Sequence, residues 1–417
     1  MTAFRKADIL IPKNADFKKW SVVACDQYTS EPKYWKEVEA LVGDAPSTLK
    51  ITFPEIYLSE GDARIAKINE TMEKYIADGI FTEYKSSLIY VEREIDGVKV
   101  RKGIVGAVDL EEYDFSIGSE SQIRATEGTV LERIPPRVKI RENAPIELPH
   151  VMILIDDAKR DIIENLSAKK AEMEKLYDFD LMQGGGHLTG YLIPEKTADE
   201  IIAKLEKLAE KEEFASRYGV TAKAPLTYAV GDGNHSLATA KTCWENLKKT
   251  LGEEEKANHP ARFALCELEN IHDDALEFEP IHRVVFDIDS EDLISELKKY
   301  YKTAESGEDL QCIEYITEGG TNKLYIKNPK SQLTVGTLQI FLDEYLAKKG
   351  GTVDYIHGGD VCRELGSAKG NIGFILPAMK KSDLFMGVIK DGVLPRKTFS
   401  MGEAYEKRFY FEGKKIK

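Results

Sequence analysis

Residues 228–240 read YAVGDGNHSLATA. The apolar beginning predicts a buried strand over 227–230, and the residues after His235 predict a helix over about 236–249. Between the two elements, Gly231 and Gly233 would let the backbone come close to a ligand. This strand–turn–helix unit belongs to a longer alternation of strands and helices, so the sequence predicts a mixed α/β fold.

Hydrophobic periodicity predicts further elements on both sides of this stretch. The predicted strands lie at 20–25, 151–155, 188–193, 282–287, 324–327 and 385–390, with a hairpin over 86–110 that turns at Asp96-Gly97 and another around Asp391-Gly392. The predicted helices lie at 31–41, 162–176, 291–301 and 335–348, with one more that begins at a capping box over 197–200. These elements predict an α/β (mixed α+β) protein with mixed sheets and packed helices.

The same pattern suggests three regions of the chain. They are an N-terminal α/β region over 1–145, a central α/β core with the GDGNH loop over 146–270, and a C-terminal α+β region over 271–417. No low-complexity linker separates them, so the alternative is one intertwined unit.

The composition excludes several classes of protein. The chain has 417 residues, 58 Lys and Arg against 72 Asp and Glu, and a net charge of −14. Such an acidic balance argues against general nucleic-acid binding. No apolar run approaches the length of a membrane-spanning helix. The five cysteines form no CxxC pair, which argues against a zinc ribbon and favours a reducing cytoplasm.

The GDGNH loop, residues 231–235, carries the most informative chemistry. Asp232 and His235 stand at the start of the predicted helix, where backbone N–H groups and the helix dipole favour an anion. A carboxylate and an imidazole there could bind Mg²⁺ and move a proton, as phosphoryl transfer requires. Gly231, Gly233 and Asn234 would complete a phosphate-binding loop. In the alternative interpretation Asp232 or Asn234 only caps the helix and Gly233 makes the turn.

Three arginines follow one another at a spacing of four residues: Arg133, Arg137 and Arg141. Pro135-Pro136 would allow a helix to begin only near Pro136. If the segment is helical, the three arginines would form one basic edge suited to phosphate or carboxylate. The alternative is a solvated face on which they form salt bridges with nearby acids, namely Glu127, Glu132 and Glu142.

Four other residues are candidates for ligand binding. His187 follows three glycines before a strand, and His282 and Arg283 open a strand after Pro280. Asp26 ends the first predicted strand, where α/β proteins place ligands. For each, a loop or sheet-edge role without a ligand is the alternative.

The chain resembles the uncharacterised prokaryotic family known as domain of unknown function 1015. Residues 231–240 resemble the family's A-D-G-H-H-R-Y-E-T-A segment, but with Asn234 for the first His and Ser236 for the Arg. Residues 280–285 match P-T-H-R-V-V, residues 106–113 match G-A-(V/L)-x-L-E-x-Y before the arginines, and residues 394–398 match L-P-x-K-(S/T). The resemblance therefore does not imply chemistry that needs two adjacent His or that Arg.

The family loop is in turn similar to loops of ParB/sulfiredoxin-like proteins, a superfamily that contains nucleotide hydrolases and a free-serine kinase. This resemblance implies a phosphate-handling core near residues 145–270, with Asp232 as a metal or base residue, His235 in phosphate contact or proton transfer, and the arginines stabilising charge.

These observations lead to one predicted function and two alternatives. The prediction is a cytoplasmic phosphotransferase or phosphohydrolase that uses Mg²⁺ and ATP or ADP and acts on a small polar, serine-like metabolite. The first alternative is a non-catalytic sensor of an anionic or amino-acid-like ligand. The second is a ParB-like nuclease, which the net charge of −14 opposes. No membrane partner is expected, and the oligomeric state is left open.

Overall fold

A computed structural model describes residues 2–220 and 224–417. The chain forms two compact units. The first unit contains Met1–Ala125, Thr129–Leu276 and Gly402–Lys417, and the second contains Thr126–Gly128 and Glu277–Met401. The segment after residue 401 therefore returns to the first unit.

The α-helices of the described residues are α1 (Phe17–Trp20), α2 (Pro32–Val42), α3 (Gly61–Ala77), α4 (Ile134–Arg141), α5 (Glu195–Leu208), α6 (Lys211–Tyr218), α7 (Asn234–Leu247), α8 (Glu253–Asn258), α9 (Ser290–Tyr300), α10 (Thr334–Lys349), α11 (Gly359–Gly366) and α12 (Lys381–Asp391). The strands are β1 (Phe4–Arg5), β2 (Ala7–Pro12), β3 (Phe81–Ser87), β4 (Ile89–Ile95), β5 (Lys99–Asp109), β6 (Tyr113–Asp114), β7 (Ile123–Ala125), β8 (Ile146–Glu147), β9 (Met152–Ile155), β10 (Glu174–Asp180), β11 (His187–Leu192), β12 (Tyr228–Asp232), β13 (Phe263–Asn270), β14 (Phe278–Phe286), β15 (Thr303–Ala304), β16 (Gln311–Thr317), β17 (Gly320–Ile326), β18 (Thr352–His357), β19 (Ile372–Ile375), β20 (Phe399–Met401) and β21 (Lys414–Lys415).

A mixed sheet forms the centre of the first unit. Its strands follow the order β10-β11-β4-β5-β13-β9-β12-β7-β6, and β1 also pairs with β5. Strand β12 runs antiparallel to β9 and parallel to β7, while β9 runs parallel to β13. The end of β12 therefore lies beside the residues that lead into β9.

Each face of this sheet contributes to a separate hydrophobic core. On β5, Val105 and Ala107 face the core that contains Trp20, Trp35 and the C-terminal aromatic residues. Ile104 and Val108 face the opposite core, which includes side chains of α5 and α7. The alternation of side chains along a strand produces this three-layer arrangement of helices, sheet and helices.

The second unit has its own antiparallel sheet. The order is β15-β17-β16-β19-β14-β18, and the first residues of β14 also pair with β20. Helix α11 ends against this sheet, where Gly366 comes so close to β19 that an added Cβ would lie 2.4 Å from the nitrogen of Gly373. A side chain at residue 366 would therefore displace this helix from the sheet.

Much of the predicted element pattern is confirmed. The structure has the helices at Pro32–Val42, Ser290–Tyr300 and Thr334–Lys349, and the hairpin of β4 and β5. The strand–turn–helix unit at β12 and α7 is also present. The mixed α/β class is confirmed. The two units meet in the chain after Leu276, and the predicted division into three regions stays a prediction.

Three predicted elements near the middle and the end of the chain are wrong. The predicted helix over 162–176 is a 3-10 helix at Glu164–Glu172, followed by β10, whose Tyr177 and Phe179 point into the core. The predicted strand over 385–390 and the hairpin that would follow it are helix α12 and its end, because Leu384, Phe385 and Val388 bury one helical face.

Two predictions need smaller corrections. The predicted capping box over 197–200 lies inside α5, because that helix already begins at Glu195 after Pro194. The predicted strand over 20–25 is buried but forms only an isolated bridge between Val23 and Phe409. Among the helices of the described residues, none combines the length and the hydropathy needed to cross a bilayer.

Candidate active site

The junction between β12 and α7 holds the GDGNH loop. Asp232 ends the strand, and Gly233 precedes the helix with a φ of 80°, a conformation that side chains rarely adopt. A Cβ added to Gly233 would lie 3.0 Å from the Cα of Val151, just before β9. Glycine at this position therefore allows the loop to pack directly against the entry of β9.

Asp232 has two hydrogen-bonding partners at this junction. The Gly233 N–H donates to Oδ1 at 2.8 Å, and Lys407 Nζ lies 3.1 Å from Oδ2. The side chains of Asp232 and Lys407 are 23% and 12% exposed. Burial alone would raise the pKa of the Asp232 carboxyl, but Lys407, His150 and the Gly233 N–H outweigh it, so this pKa lies below its ordinary value. Asp232 is therefore an ionised carboxylate that is only partly accessible.

His150, which precedes Val151, takes part in a hydrogen-bond network with Tyr410 and Cys25. Its Nδ1 lies 2.9 Å from the hydroxyl of Tyr410, and the Cys25 N–H donates to that same hydroxyl at 3.1 Å. Burial raises the pKa of Tyr410 well above its ordinary range, so the phenol stays protonated. The hydroxyl can donate to Nδ1 or accept from it, which lets His150 present Nε2 either as a donor or as an acceptor.

His235 lies in the first turn of α7. Its Nε2 accepts from the Val130 N–H at 3.2 Å, so Nδ1 carries the proton of the neutral ring. The side chains of Asn234, His235 and Ser236 are half-buried. The imidazole thus stands at an accessible helix start, with its ring orientation fixed by the backbone of Val130.

The C-terminal segment that carries Lys407 is anchored by a buried arginine. Arg408 donates to Glu267 at 2.6 Å, to Glu412 at 2.7 Å and to the Pro149 carbonyl at 2.6 Å. All three charged side chains are 4% exposed or less. Pro149 precedes His150, and Arg408 follows Lys407. The Arg408 guanidinium therefore joins the two segments that carry His150 and Lys407, the residues that lower the pKa of Asp232.

The three predicted arginines lie in or beside α4, and two of them form ion pairs with acids. Arg137 forms an ion pair with Glu55, and Arg141 forms one with Glu147. Their partners are Glu55, which is distant in sequence, and Glu147, which is six residues from Arg141, rather than Glu127, Glu132 or Glu142. Arg133 precedes the helix, and its carbonyl accepts from Arg137 at 2.9 Å.

Asp26 and Arg137 belong to the same neighbourhood. The Glu55 N–H donates to the Cys25 carbonyl at 2.8 Å, and Glu55 is the residue that pairs with Arg137. Burial raises the pKa of the Cys25 thiol to about 12, with Asp26 as the next contribution, so this cysteine is a poor nucleophile. Through Tyr410, this cluster connects to His150 and hence to the GDGNH loop.

His187 lies away from that neighbourhood, on the hairpin of β10 and β11. Its Nδ1 lies 2.8 Å from Asp180 and its Nε2 lies 2.6 Å from Asp178. Both ring nitrogens already have carboxylate partners, which makes His187 part of a surface ion cluster.

This cluster predicts a measurable pH dependence. Burial would lower the pKa of His187, but Asp180 and Asp178 outweigh it and raise the pKa above 6.5. A raised histidine pKa contributes stability that is fully present below about pH 6.5 and is lost as pH rises through the folded-state pKa. We therefore expect an NMR titration of the His187 ring to show a midpoint above that of a free histidine. A midpoint at or below the ordinary value would contradict the ion cluster.

His282 and Arg283 lie in the second unit and have partners within it. The Leu376 N–H donates to His282 Nδ1 at 3.1 Å. Arg283 is fully buried and donates to the carbonyls of Arg396 and Lys397. The predicted ligand binding by His282 and Arg283 stays a prediction.

The predicted metal role of Asp232 stays a prediction. Among the residues that the structure describes, no group of three or more His, Cys, Asp or Glu is placed to hold a metal ion. Both Asp232 oxygens already accept from donors of the chain. Mg²⁺ often binds through only one or two carboxylates together with substrate phosphates.

Sequence reasoning missed Lys407, Tyr410 and His150 as members of this cluster. Lys407 and Tyr410 follow a separate unit in the chain and meet Asp232 and His150 only after folding. No local motif marks either of them. The position of His150, directly before the predicted strand over 151–155, was the one available signal.

The profile of the family described as "Protein of unknown function (DUF1015)" matches residues 7–345. The chain belongs to the DUF1015 family. The DUF1015 match includes Asp26, Arg137, His150 and the GDGNH loop, whereas Lys407 lies beyond its end. No curated protein matches the chain.

Several solved structures resemble this DUF1015 protein at a distance. The free serine kinase in complex with AMP is 14% identical, with 76% of this chain and 93% of that chain covered and a TM-score of 0.38. A conserved hypothetical protein from Pyrococcus furiosus is 13% identical, with coverages of 75% and 92% and a TM-score of 0.34. SbnI with a C-terminal truncation, from Staphylococcus aureus, is 9% identical, with coverages of 71% and 81% and a TM-score of 0.36.

Proposed function

We propose that the protein transfers a phosphoryl group between ATP or ADP and the hydroxyl of a small, polar, serine-like metabolite. The observation that carries this proposal is the ionised Asp232 paired with Lys407 at the start of α7, with His150 close enough to influence its charge. Lysine and imidazole N–H groups beside a helix start suit the charge of a transferring phosphoryl group. The other reaction that this arrangement suits is phosphate-ester hydrolysis.

Each side chain takes a role that follows from its contacts. Lys407 would bind the transferring phosphoryl group, and Asp232 would orient the ammonium and keep it charged. Because its pKa is low, Asp232 is a weak base, and proton removal falls to His150. In the transfer, the terminal P–O bond of the nucleotide breaks, a bond from phosphorus to the substrate oxygen forms, and the hydroxyl proton passes to Nε2 of His150.

His235 and the residues of the Cys25 region would bind rather than react. With Nδ1 protonated, His235 can donate to a phosphate oxygen. Asp26 would bind an amino group of the metabolite, and Arg137, which its ion pair with Glu55 holds near Cys25, would donate hydrogen bonds to an anionic group.

One observation favours a second candidate function, a non-catalytic sensor of an anionic metabolite. Asp232 is already paired on both oxygens, which leaves a site made mainly of donors. Such a site would bind an anion without a carboxylate base to promote turnover. The cytoplasmic location and the likeness to ParB/sulfiredoxin-like proteins remain predictions, and the net charge of −14 opposes the nuclease alternative.

The test is a direct assay of phosphoryl transfer. The purified protein is incubated with ATP or ADP, Mg²⁺ and a panel of hydroxyl metabolites that begins with serine, and products are followed by ³¹P NMR. Because structures of the free serine kinase hold AMP or ADP, these nucleotides are natural probes. We expect a phosphorylated metabolite with wild type and none with His150→Gln. Saturable binding without any product across the panel would replace this proposal by the sensor.

A further inference from the structure

A buried histidine faces the start of helix α11 within the second unit. His282 lies on β14 and is 4% exposed, and its Nδ1 accepts a hydrogen bond from the Leu376 N–H at 3.1 Å. Nδ1 is therefore the unprotonated nitrogen of the neutral ring, and Nε2 carries the proton. We propose that this Nε2–H and the first N–H groups of α11 together bind a carboxylate group.

The Nε2–H of His282 is a donor without an acceptor in the protein. Across residues 2–220 and 224–417, no side chain or carbonyl accepts a hydrogen bond from it, although the residue is almost fully buried. Nε2 is also not one of the completely enclosed polar atoms that lack a partner, so it stays within reach of solvent. Buried polar groups are as a rule hydrogen-bonded, and the acceptor for this one must come from outside the chain.

Nε2 lies close to the first residue of α11. A Cβ added to Gly359, at which that helix begins, would lie 3.7 Å from Nε2. Gly358 precedes it with a φ of 82°, and no side chain caps the helix. The N–H groups in the first turn of a helix have no acceptor within it and carry the positive end of its dipole. Donors from β14 and from α11 therefore face the same small space.

The geometry of α11 does not by itself require glycine at position 359. Its φ lies outside the left-handed region, and an added Cβ would make only ordinary contacts, with Nε2 of His282 and at 3.8 Å with Cδ1 of Ile375. Alanine is preferred over glycine in helices. A methyl group beside Nε2 would, however, fill the place of an acceptor, which has to lie about 2.7–3.2 Å from this nitrogen. The glycine thus keeps the donor open.

The charged groups near His282 make this space favourable for an anion. Burial lowers the pKa of the imidazole, so the ring is neutral at pH 7. Three cations, namely Arg283, Arg363 and protonated His357, lower that pKa further. Glu314 opposes them. Because a cation lowers the pKa of a histidine by repelling its charged form, the same cations attract a negative ligand.

Among anions, a carboxylate fits these groups better than a phosphate dianion. The Arg363 guanidinium already pairs with Glu314 at 2.7 Å, and Asp360 is exposed in the first turn of α11. The available donors are thus a neutral imidazole and backbone N–H groups, without a free arginine fork for a second charge. One carboxylate oxygen can accept from Nε2–H and the other from α11. The inference goes beyond the proposed function, because it concerns the second unit and requires no catalysis.

The experiment follows the ring nitrogens of His282 by NMR in protein that is labelled with ¹⁵N-histidine. The probes are acetate, succinate, L-serine and inorganic phosphate at pH 7. His282→Asn identifies the signal by removing it, and its amide oxygen can still accept from the Leu376 N–H. We expect at least one of the three carboxylates to shift the Nε2 signal of wild type saturably.

Two glycine variants give the decisive comparison. Gly359→Ala should bind that carboxylate about tenfold or more weakly, because the methyl group blocks a hydrogen bond to a charged acceptor. Its stability in urea should equal or exceed that of wild type. The matched control is Gly319→Ala, at an exposed position of the same unit without a left-handed φ, and it should bind like wild type.

Three results would overturn the inference. They are no shift of Nε2 with any carboxylate, an unchanged affinity in Gly359→Ala, and tighter binding of phosphate than of every carboxylate. Asp232→Asn separates this site from the proposed function, since it should leave the shift of Nε2 intact. A shift lost in Asp232→Asn but kept in Gly359→Ala would also overturn the inference. Absence of product in the ³¹P assay would contradict only the proposed function.

Discussion

Asp232→Asn is expected to lower phosphoryl transfer by about a hundredfold or more, because the neutral amide no longer holds Lys407 as an ion pair. The fold should tolerate the change. Asparagine keeps an oxygen for the Gly233 N–H, and loss of a partly exposed ion pair costs only about 1 kcal/mol. The measurement pairs initial rates from the ³¹P assay with a urea unfolding curve.

A matched control for this variant is Asp199→Asn. Lys6 and Asp199 form a comparable ion pair at 2.8 Å outside the candidate site. We expect Asp199→Asn to leave the rate unchanged. An Asp232→Asn protein with wild-type activity would contradict the assigned role. If that variant unfolds, Lys407→Met tests the same pair from its other side.

Arg408→Leu is expected to lower the free energy of unfolding by about 3–5 kcal/mol. The reason is that Glu267 and Glu412, which are 4% exposed or less, would lose the guanidinium that neutralises them. The Pro149 carbonyl would also lose its donor. Urea unfolding measures the change, and the slope of the transition tests whether unfolding remains two-state.

Two further variants give this prediction its controls. Lys415→Ala breaks the partly exposed pair with Glu83, at 3.2 Å, and should cost about 0.5 kcal/mol or less. The triple variant Arg408→Leu/Glu267→Gln/Glu412→Gln should recover part of the loss, since it removes the buried charges together. A change below about 1 kcal/mol in Arg408→Leu would show that this network does not anchor the C-terminal segment.

The sequence predicts the parts of the fold in which local chemistry and tertiary packing agree. The turn at Asp96-Gly97 forms between β4 and β5, two strands that their sequence pattern also predicts. The GDGNH loop forms because Gly233 can adopt the positive φ of the turn and has no side chain to collide with Val151. At 385–390, by contrast, an apolar run fits either a strand or a buried helix, and only packing in the second unit decides for α12.

The candidate site is less predictable for a different physical reason. Asp232 and His235 lie in one loop, so a local motif reveals them. Lys407 and Tyr410 are remote in sequence, and their positions depend on how the segment after residue 401 packs over the sheet. The spacing of the arginines predicts Arg137 as a candidate, but its ion pair with Glu55 is a long-range contact that spacing alone does not show.

The return of residues 402–417 to the first unit has a consequence for synthesis of the protein on the ribosome. The second unit is translated almost entirely between residues 277 and 401, before Lys407 and Arg408 exist. Until then the nascent first unit carries Glu267 without its guanidinium and a sheet face without the aromatic residues of its last segment. The emerging chain therefore exposes apolar and acidic surface that chaperones would have to protect, and the candidate active site can assemble only after residues 402–417 have been synthesised.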